Sequence, residues 1–150
     1  MKNSRICAGL ALLVGLVLSA PALAAPIPAV LYKNPQCTCC EAYARYLDRN
    51  GFAVKVIPTD QLDLVTHMAG VPVALEGCHT MKLGGYVIEG HVPASMIKKL
   101  LAEHLPIKGL AIPGMPGGVH GMPLMPGMTK TPIPVYEIGP ATQVVFGTVD

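Results

Sequence analysis

The 150-residue chain has no run of like charge and no cluster of lysine and arginine, so nothing in it is built to neutralise a phosphate backbone. Nucleic acid is an unsuitable partner for such a chain. It also lacks the grouped arginines that would hold an oxyanion, which argues against arsenate reduction. No apolar run reaches the ~20 residues of a membrane span, and no internal repeat is evident.

The longest apolar stretch lies at the beginning. Lys2 and Arg5 form a short positive region, Ile6 to Leu18 is almost wholly apolar, and Ala22-Leu23-Ala24 has the small-x-small pattern of a cleavage site. This is the layout of a secretory signal peptide over residues 1–24, which places the mature chain, residues 25–150, in the periplasm without stable membrane insertion. Cys7 lies far upstream of the cut and leaves with the leader. Removing Lys2 and Arg5 lowers the basic count from 11 to 9, level with the 9 acidic residues. What remains is long enough to bury a core without disulfide staples, which leaves its cysteines free for chemistry.

Three of those cysteines crowd into Asn34-Pro35-Gln36-Cys37-Thr38-Cys39-Cys40-Glu41, and a fourth, Cys78, stands beside His79. Cys37 and Cys40 have the C-x-x-C spacing of a dithiol site, and Cys39 adds a sulfur that such a site does not need. The surplus favours metal.

Periodicity places these residues. Ala29 to Tyr32 reads as a buried strand, and a helix follows from Cys39 to Arg49, capped by a Thr38/Glu41 capping box and stopped by Asn50-Gly51. Phe52 to Ile57 alternates as a second strand. Thr59 or Asp60 caps a second helix that buries Leu62, Val65 and Met68. Strands from Cys78 to Leu83 and from Tyr86 to Glu89 flank the turn Gly84-Gly85 as a hairpin, and Pro93 opens a last helix, Ala94 to His104, with Met96, Ile97, Leu100 and Leu101 inward. The order βαβα, hairpin, α predicts an α/β thioredoxin-like fold, with Pro72 in Val71-Pro72 as a candidate cis-proline before the third strand. Residues 109–128, dominated by Gly, Pro and Met, are expected to hold neither helix nor strand. Pro134 to Ile138 and Gln143 to Phe146 read as a closing hairpin around Gly139-Pro140.

A helix N-terminus favours thiolate at Cys37, Cys39 and Cys40, the form that binds metal or attacks a disulfide. Adjacent Cys39 and Cys40 strain a mononuclear tetrahedral site. They suit several bridged Cu(I) ions, because thiolates have spare lone pairs and Cu(I) takes soft ligands at low coordination number. His91, in the turn Glu89-Gly90-His91-Val92-Pro93, is a nitrogen ligand candidate. His79 is a weaker one, since strand alternation would turn it away from Cys78. His67 and His104 read as surface or packing residues, and Met68 and Met96 as helix packing. Met115, Met122, Met125 and Met128 instead share a loop with His120. Met115, nearest the folded part, is the first choice for a thioether contact to copper.

These residues resemble the CopG-like periplasmic proteins of bacterial copper resistance. The likeness rests on Tyr32-Lys33-Asn34-Pro35-x-Cys37-x-Cys39-Cys40, Asn50-Gly51-Phe52, Gly70-Val71-Pro72, Cys78-His79-Thr80, the run Gly85 to Pro93 and the run Gly109 to Pro116. It implies a thioredoxin-like fold, a copper site built from Cys37, Cys39, Cys40 and Cys78, and a role in handling or oxidising and reducing periplasmic copper. Other periplasmic copper-handling proteins are the implied partners. Thr38 stands where the family usually has glycine, and Gly118-Val119-His120-Gly121-Met122 replaces its usual Gly-Ser-Pro-Gly-Met. With further methionines, the altered loop could add a weak second copper site involving His120.

Two other functions share the residues. A thiol-disulfide oxidoreductase would use Cys37 and Cys40 and survive loss of Cys39 or Cys78, whereas structural zinc would leave the metal-free domain unfolded.

Overall fold

Residues 27–33 alternate inward and outward, with Ala29, Leu31 and Lys33 buried, and this period of two makes them the strand β1, Ile27–Lys33. The computed structural model describes residues 24–140 and 144–150, so all but the last residue of the proposed leader lies outside the described residues. After β1 come the helix α1 (Thr38–Arg49), β2 (Phe52–Pro58), α2 (Leu62–Met68), a 3-10 turn at Val73–Leu75, β3 (His79–Leu83), β4 (Tyr86–Glu89) and α3 (Ala94–Glu103). This is the βαβα, hairpin, α order that the periodicity predicts. Three further strands follow: β5 (Gly109–Ala111), β6 (Ile133–Ile138) and β7 (Val145–Val149). No helix among the described residues is long and apolar enough to cross a membrane.

All seven strands join one sheet in the order β2-β1-β3-β4-β5-β6-β7. β1 runs parallel to β2 and antiparallel to β3, β3 is antiparallel to β4, and β4 is parallel to β5. Each face buries its own core. Leu31, Met81, Ile88 and Leu110 meet Tyr43 and Leu47 of α1 and Ile97 and Leu100 of α3, while Val87, Ala111 and Ile138 turn the other way onto Ala69, Val71 and Leu75. Neighbours such as Val87 and Ile88 thus serve opposite layers, as strand geometry requires.

Several expectations are corrected. Gly109 to Ala111 is a strand inside the proposed loop. All three residues are buried, and a Cβ at position 109 would run into the Val87 backbone, so glycine is what lets β5 approach β4. The closing hairpin therefore extends the main sheet through β5 and β6, and β7 continues to Val149. Residue 143, where its second strand was expected to begin, lies outside the described residues. Pro72 is trans, since no cis peptide occurs among the described residues, and it leads into the 3-10 turn rather than directly into β3. Met68 is 75% exposed, because short α2 turns Thr66 inward and Met68 out to solvent.

The helix starts differ by about one residue. Cys37, with extended backbone, is the N-cap of α1: its sulfur accepts from Cys40 N, and Thr38 is already helical. The capping box is not formed, and Glu41 pairs instead with Lys33. Gln61 occupies the N-cap of α2, with Thr59 Oγ1 accepting from its N–H, and Pro93 is the N-cap of α3 rather than its first helical residue.

Candidate metal centre

The segment between β1 and α1 is tied down by a buried cation. Lys33, 2% exposed, donates through Nζ to the carbonyls of Asn34 (3.3 Å) and Pro35 (3.1 Å) and pairs with Glu41 of α1 at 3.0 Å. The turn leading into the cysteines is thus fastened to the first turn of the helix they begin. Cys37 and Cys40 are joined as a disulfide, and Cys39 Sγ lies 3.3 Å from Cys37 Sγ. Cys40 is fully buried, with its sulfur 3.4 Å from the Cys78 carbonyl oxygen.

Cys78 arrives from the far side, just before β3. Its segment is fixed by Gly77 N donating to Glu89 Oε1 (2.8 Å), by Gly90 N donating to the His79 carbonyl (3.1 Å) and by Gly114 N donating to the Glu76 carbonyl (2.8 Å). Its sulfur lies 3.1 Å from His91 Nε2 and 3.4 Å from His79 Nδ1. The alternation argument against His79 fails because Cys78 precedes the strand, so no pleat separates the two side chains. Buried His79 Nε2 has no hydrogen-bond partner among the described residues.

Two sets of donors converge: Cys37, Cys39, Cys40 and Cys78, and Cys40, Cys78, His79 and His91. Within each set the ligand atoms all lie within 4.8 Å of one another, and Cys40 and Cys78 belong to both. Overlap of this kind suits bridging sulfurs. The donors are soft thiols and imidazoles without a carboxylate, a set matched to Cu(I) or zinc rather than magnesium or calcium.

His91 Nδ1 lies 2.6 Å from the backbone carbonyl of His120, which can only accept. The proton of the neutral ring is therefore on Nδ1, and the Nε2 lone pair faces Cys78, the arrangement in which an outer hydrogen bond orients a metal-binding imidazole. Burial lowers the pKa of both His79 and His91, with each other's proximity adding to the effect at His79. Both rings are neutral at pH 7. Tyr43, wholly buried, packs its ring 4.8 Å from each imidazole and donates its hydroxyl to the Val92 carbonyl at 2.7 Å.

Cys78 lies away from the helix start. Burial first, and the neighbouring Cys39 second, push its thiol up to about 12. Helix polarity does not supply a thiolate there, and a metal ion must displace the proton.

Of the remaining candidates, Met115 is 64% exposed and lines a cavity of about 500 Å³ with Cys37, Cys39 and Cys78, at the mouth of the cluster. The His120 imidazole stacks on Tyr46 (3.8 Å between centroids, 11° between planes), so its carbonyl, not its ring, serves the centre. His67 and His104 are exposed and belong to neither donor set. Sequence reasoning missed Lys33 and Glu89, which position the two halves of the site. The available signal was a charged residue at an inward-facing strand position of each.

The family model described as a protein of unknown function, DUF411, matches residues 75–122, the part that carries Cys78, His79, His91 and Met115. No curated protein sequence matches the chain significantly. Two solved structures of the copper resistance protein CopG, its form 1 and form 2, are each 31% identical with a TM-score of 0.75. Each match covers 83% of this chain, and 99% of the form 2 chain and 98% of the form 1 chain.

Proposed function

The chain belongs to the CopG copper resistance family, and from that premise we propose that it is a periplasmic copper-binding protein that holds Cu(I) in a cysteine-bridged cluster. The reading rests on one observation, the sharing of Cys40 and Cys78 between two four-donor sets. Cys37, Cys39, Cys40 and Cys78 supply the sulfurs, His91 and His79 the nitrogens, and Met115 a thioether at the mouth. Residues 1–24 direct export, and the cargo passes to and from other periplasmic copper-handling proteins. Loading requires two electrons to open the Cys37–Cys40 disulfide. Cycling between Cu(I) and Cu(II) belongs to the same proposal, with a periplasmic electron carrier as co-reactant.

The test is anaerobic loading of the reduced mature chain with Cu(I), counting copper per protein for wild type, Cys39→Ser and Cys78→Ser. Two or more tightly held ions, lost together in either variant, are expected for a shared cluster. The disulfide itself supports a second reading, a thiol-disulfide oxidoreductase on a thioredoxin-like scaffold. Absence of tight copper, with disulfide exchange that survives Cys39→Ser, would put that reading first.

A further inference from the structure

Cys39 lines two cavities. One is the mouth already described, with Met115. The other, of about 410 Å³, shares Thr38 and Cys39 with the first and is otherwise lined by Ala42, Gly121, Met122, Pro123 and Met125. Cys40, by contrast, is wholly buried, and while the Cys37–Cys40 disulfide is closed Cys39 and Cys78 are the free thiols among the described residues. A free thiol that lines both cavities therefore shares one of them with two thioethers.

The second cavity is held by its own hydrogen bonds. Gly118 N donates to the Met122 carbonyl (2.7 Å) and Met122 N donates to the Val119 carbonyl (2.9 Å). Gly121, at φ +88°, sits so close to α1 that a Cβ would come within 2.9 Å of both the Cys39 carbonyl and Tyr43 N. Backbone contact at Gly121 thus carries Met122 to the Cys39 end of the helix. Met122 is half-buried against the core, but Met125 is 69% exposed, which gap-filling does not explain.

We propose that Met122 and Met125, with Cys39, form a soft-ligand port that captures Cu(I) and passes it to the cluster. The inference rests on the copper reading above and adds a route of entry distinct from the Met115 mouth. Thioethers bind Cu(I) without giving up a proton and hold it less firmly than thiolates do, which suits capture followed by release. Transfer is ligand exchange without redox. Copper stays monovalent, its bonds to thioether sulfur break as a bond to Cys39 sulfur forms, and the Cys39 proton passes to water.

Leucine preserves volume and removes the donor. The reduced mature chain should be compared with Met122→Leu/Met125→Leu, and with Met128→Leu, whose side chain packs on Gly117 outside both cavities. Stopped-flow transfer of Cu(I) from a chromophoric chelator gives the rate, and equilibrium competition gives capacity. We expect uptake about tenfold slower in the double variant, a barrier change of about 1.4 kcal/mol, with capacity unchanged and Met128→Leu at the wild-type rate. An unchanged rate in the double variant, or equal slowing by Met128→Leu, overturns the port. Should wild type hold no tight copper, the cluster reading fails separately. Ag(I) titration of methyl-labelled methionine then decides this one: shifts of the Met122 and Met125 ε-methyl signals support the port, and their absence overturns it.

Discussion

Glu89 is the residue where proton counting and burial agree. Its carboxyl is inaccessible, accepts from Gly77 N, and ends a row of contacts running from the Leu62 carbonyl to Thr66 Oγ1 (3.0 Å), to Thr80 Oγ1 (2.6 Å) and to Glu89 Oε2 (2.8 Å). Two hydroxyl protons cannot serve three contacts. With Glu89 ionised, Thr80 donates to it and one contact in the row goes unmade; with Glu89 protonated, the carboxyl supplies the third proton. Burial raises its pKa from the ordinary 4.5 to about 7. A carboxyl raised in the folded state binds its proton more tightly there than in the unfolded chain, so stability falls as pH rises from about 4.5 to about 7, by at most about 3 kcal/mol. Glu89→Gln offers the same acceptor to Gly77 and a permanent donor to Thr80. Urea denaturation of the metal-free protein at pH 5 and pH 8 should show this loss in wild type and a flatter response in the variant. Lys33 gives a second test at this scale. Lys33→Met removes a buried ammonium together with its partners' hydrogen bonds, and we expect a loss of about 2–3 kcal/mol in the same assay. Copper retention should weaken with it, because the turn before Cys37 loses its fastening.

At the scale of elements, the start of α1 couples fold to site. Cys37 is both cap and candidate ligand, and serine is a better N-cap than cysteine. Cys37→Ser should therefore keep the helix, with an unchanged far-ultraviolet circular dichroism spectrum, while losing copper; loss of both would mean that the sulfur's role is structural. Thr38 is exposed and already helical, so Thr38→Ala should shift stability by less than about 0.5 kcal/mol, where removal of a true cap would cost about 1 kcal/mol. The capping-box pattern was present in sequence and still misplaced the boundary by one residue. Sulfur accepts hydrogen bonds weakly and is a rare cap, whereas Lys33, brought alongside by β1, competes for Glu41. β5 was missed for a related reason. Three residues, one of them glycine, carry no readable period, and the strand exists because β4 and β6 offer edges on either side. Gly109→Ala should destabilise by at least about 2 kcal/mol, since backbone rather than a movable side chain stands in the way.

For the whole molecule, two apolar layers flank the sheet, and the larger one buries Leu31, Tyr43, Leu47, Met81, Ile88, Ile97, Leu100 and Leu110 without any metal bond. The metal-free protein should consequently melt cooperatively, and Cu(I) should raise its Tm with concentration as a ligand of the folded state does. Differential scanning calorimetry with a Cu(I) chelator checks this. Collapse of the chelated protein at room temperature would favour structural zinc instead.

The sequence by itself determined the chemistry and most of the elements. Sulfur-rich spacing confines the chemistry to soft metal or disulfide exchange whatever the fold, and hydrophobic periods of two and near four place strands and helices because local geometry dictates which residues share a face. Cys37, Cys39 and Cys40 were bound to cluster, being neighbours at one helix start. Only the tertiary structure decided that Cys78, 38 residues beyond Cys40, closes on them, that His79 and His91 both face its sulfur, and that the His120 carbonyl fixes which nitrogen His91 presents. Those meetings depend on β3 pairing with β1 and on the 109–128 segment folding back over α1. They are contacts between residues distant in the chain, which no local pattern encodes.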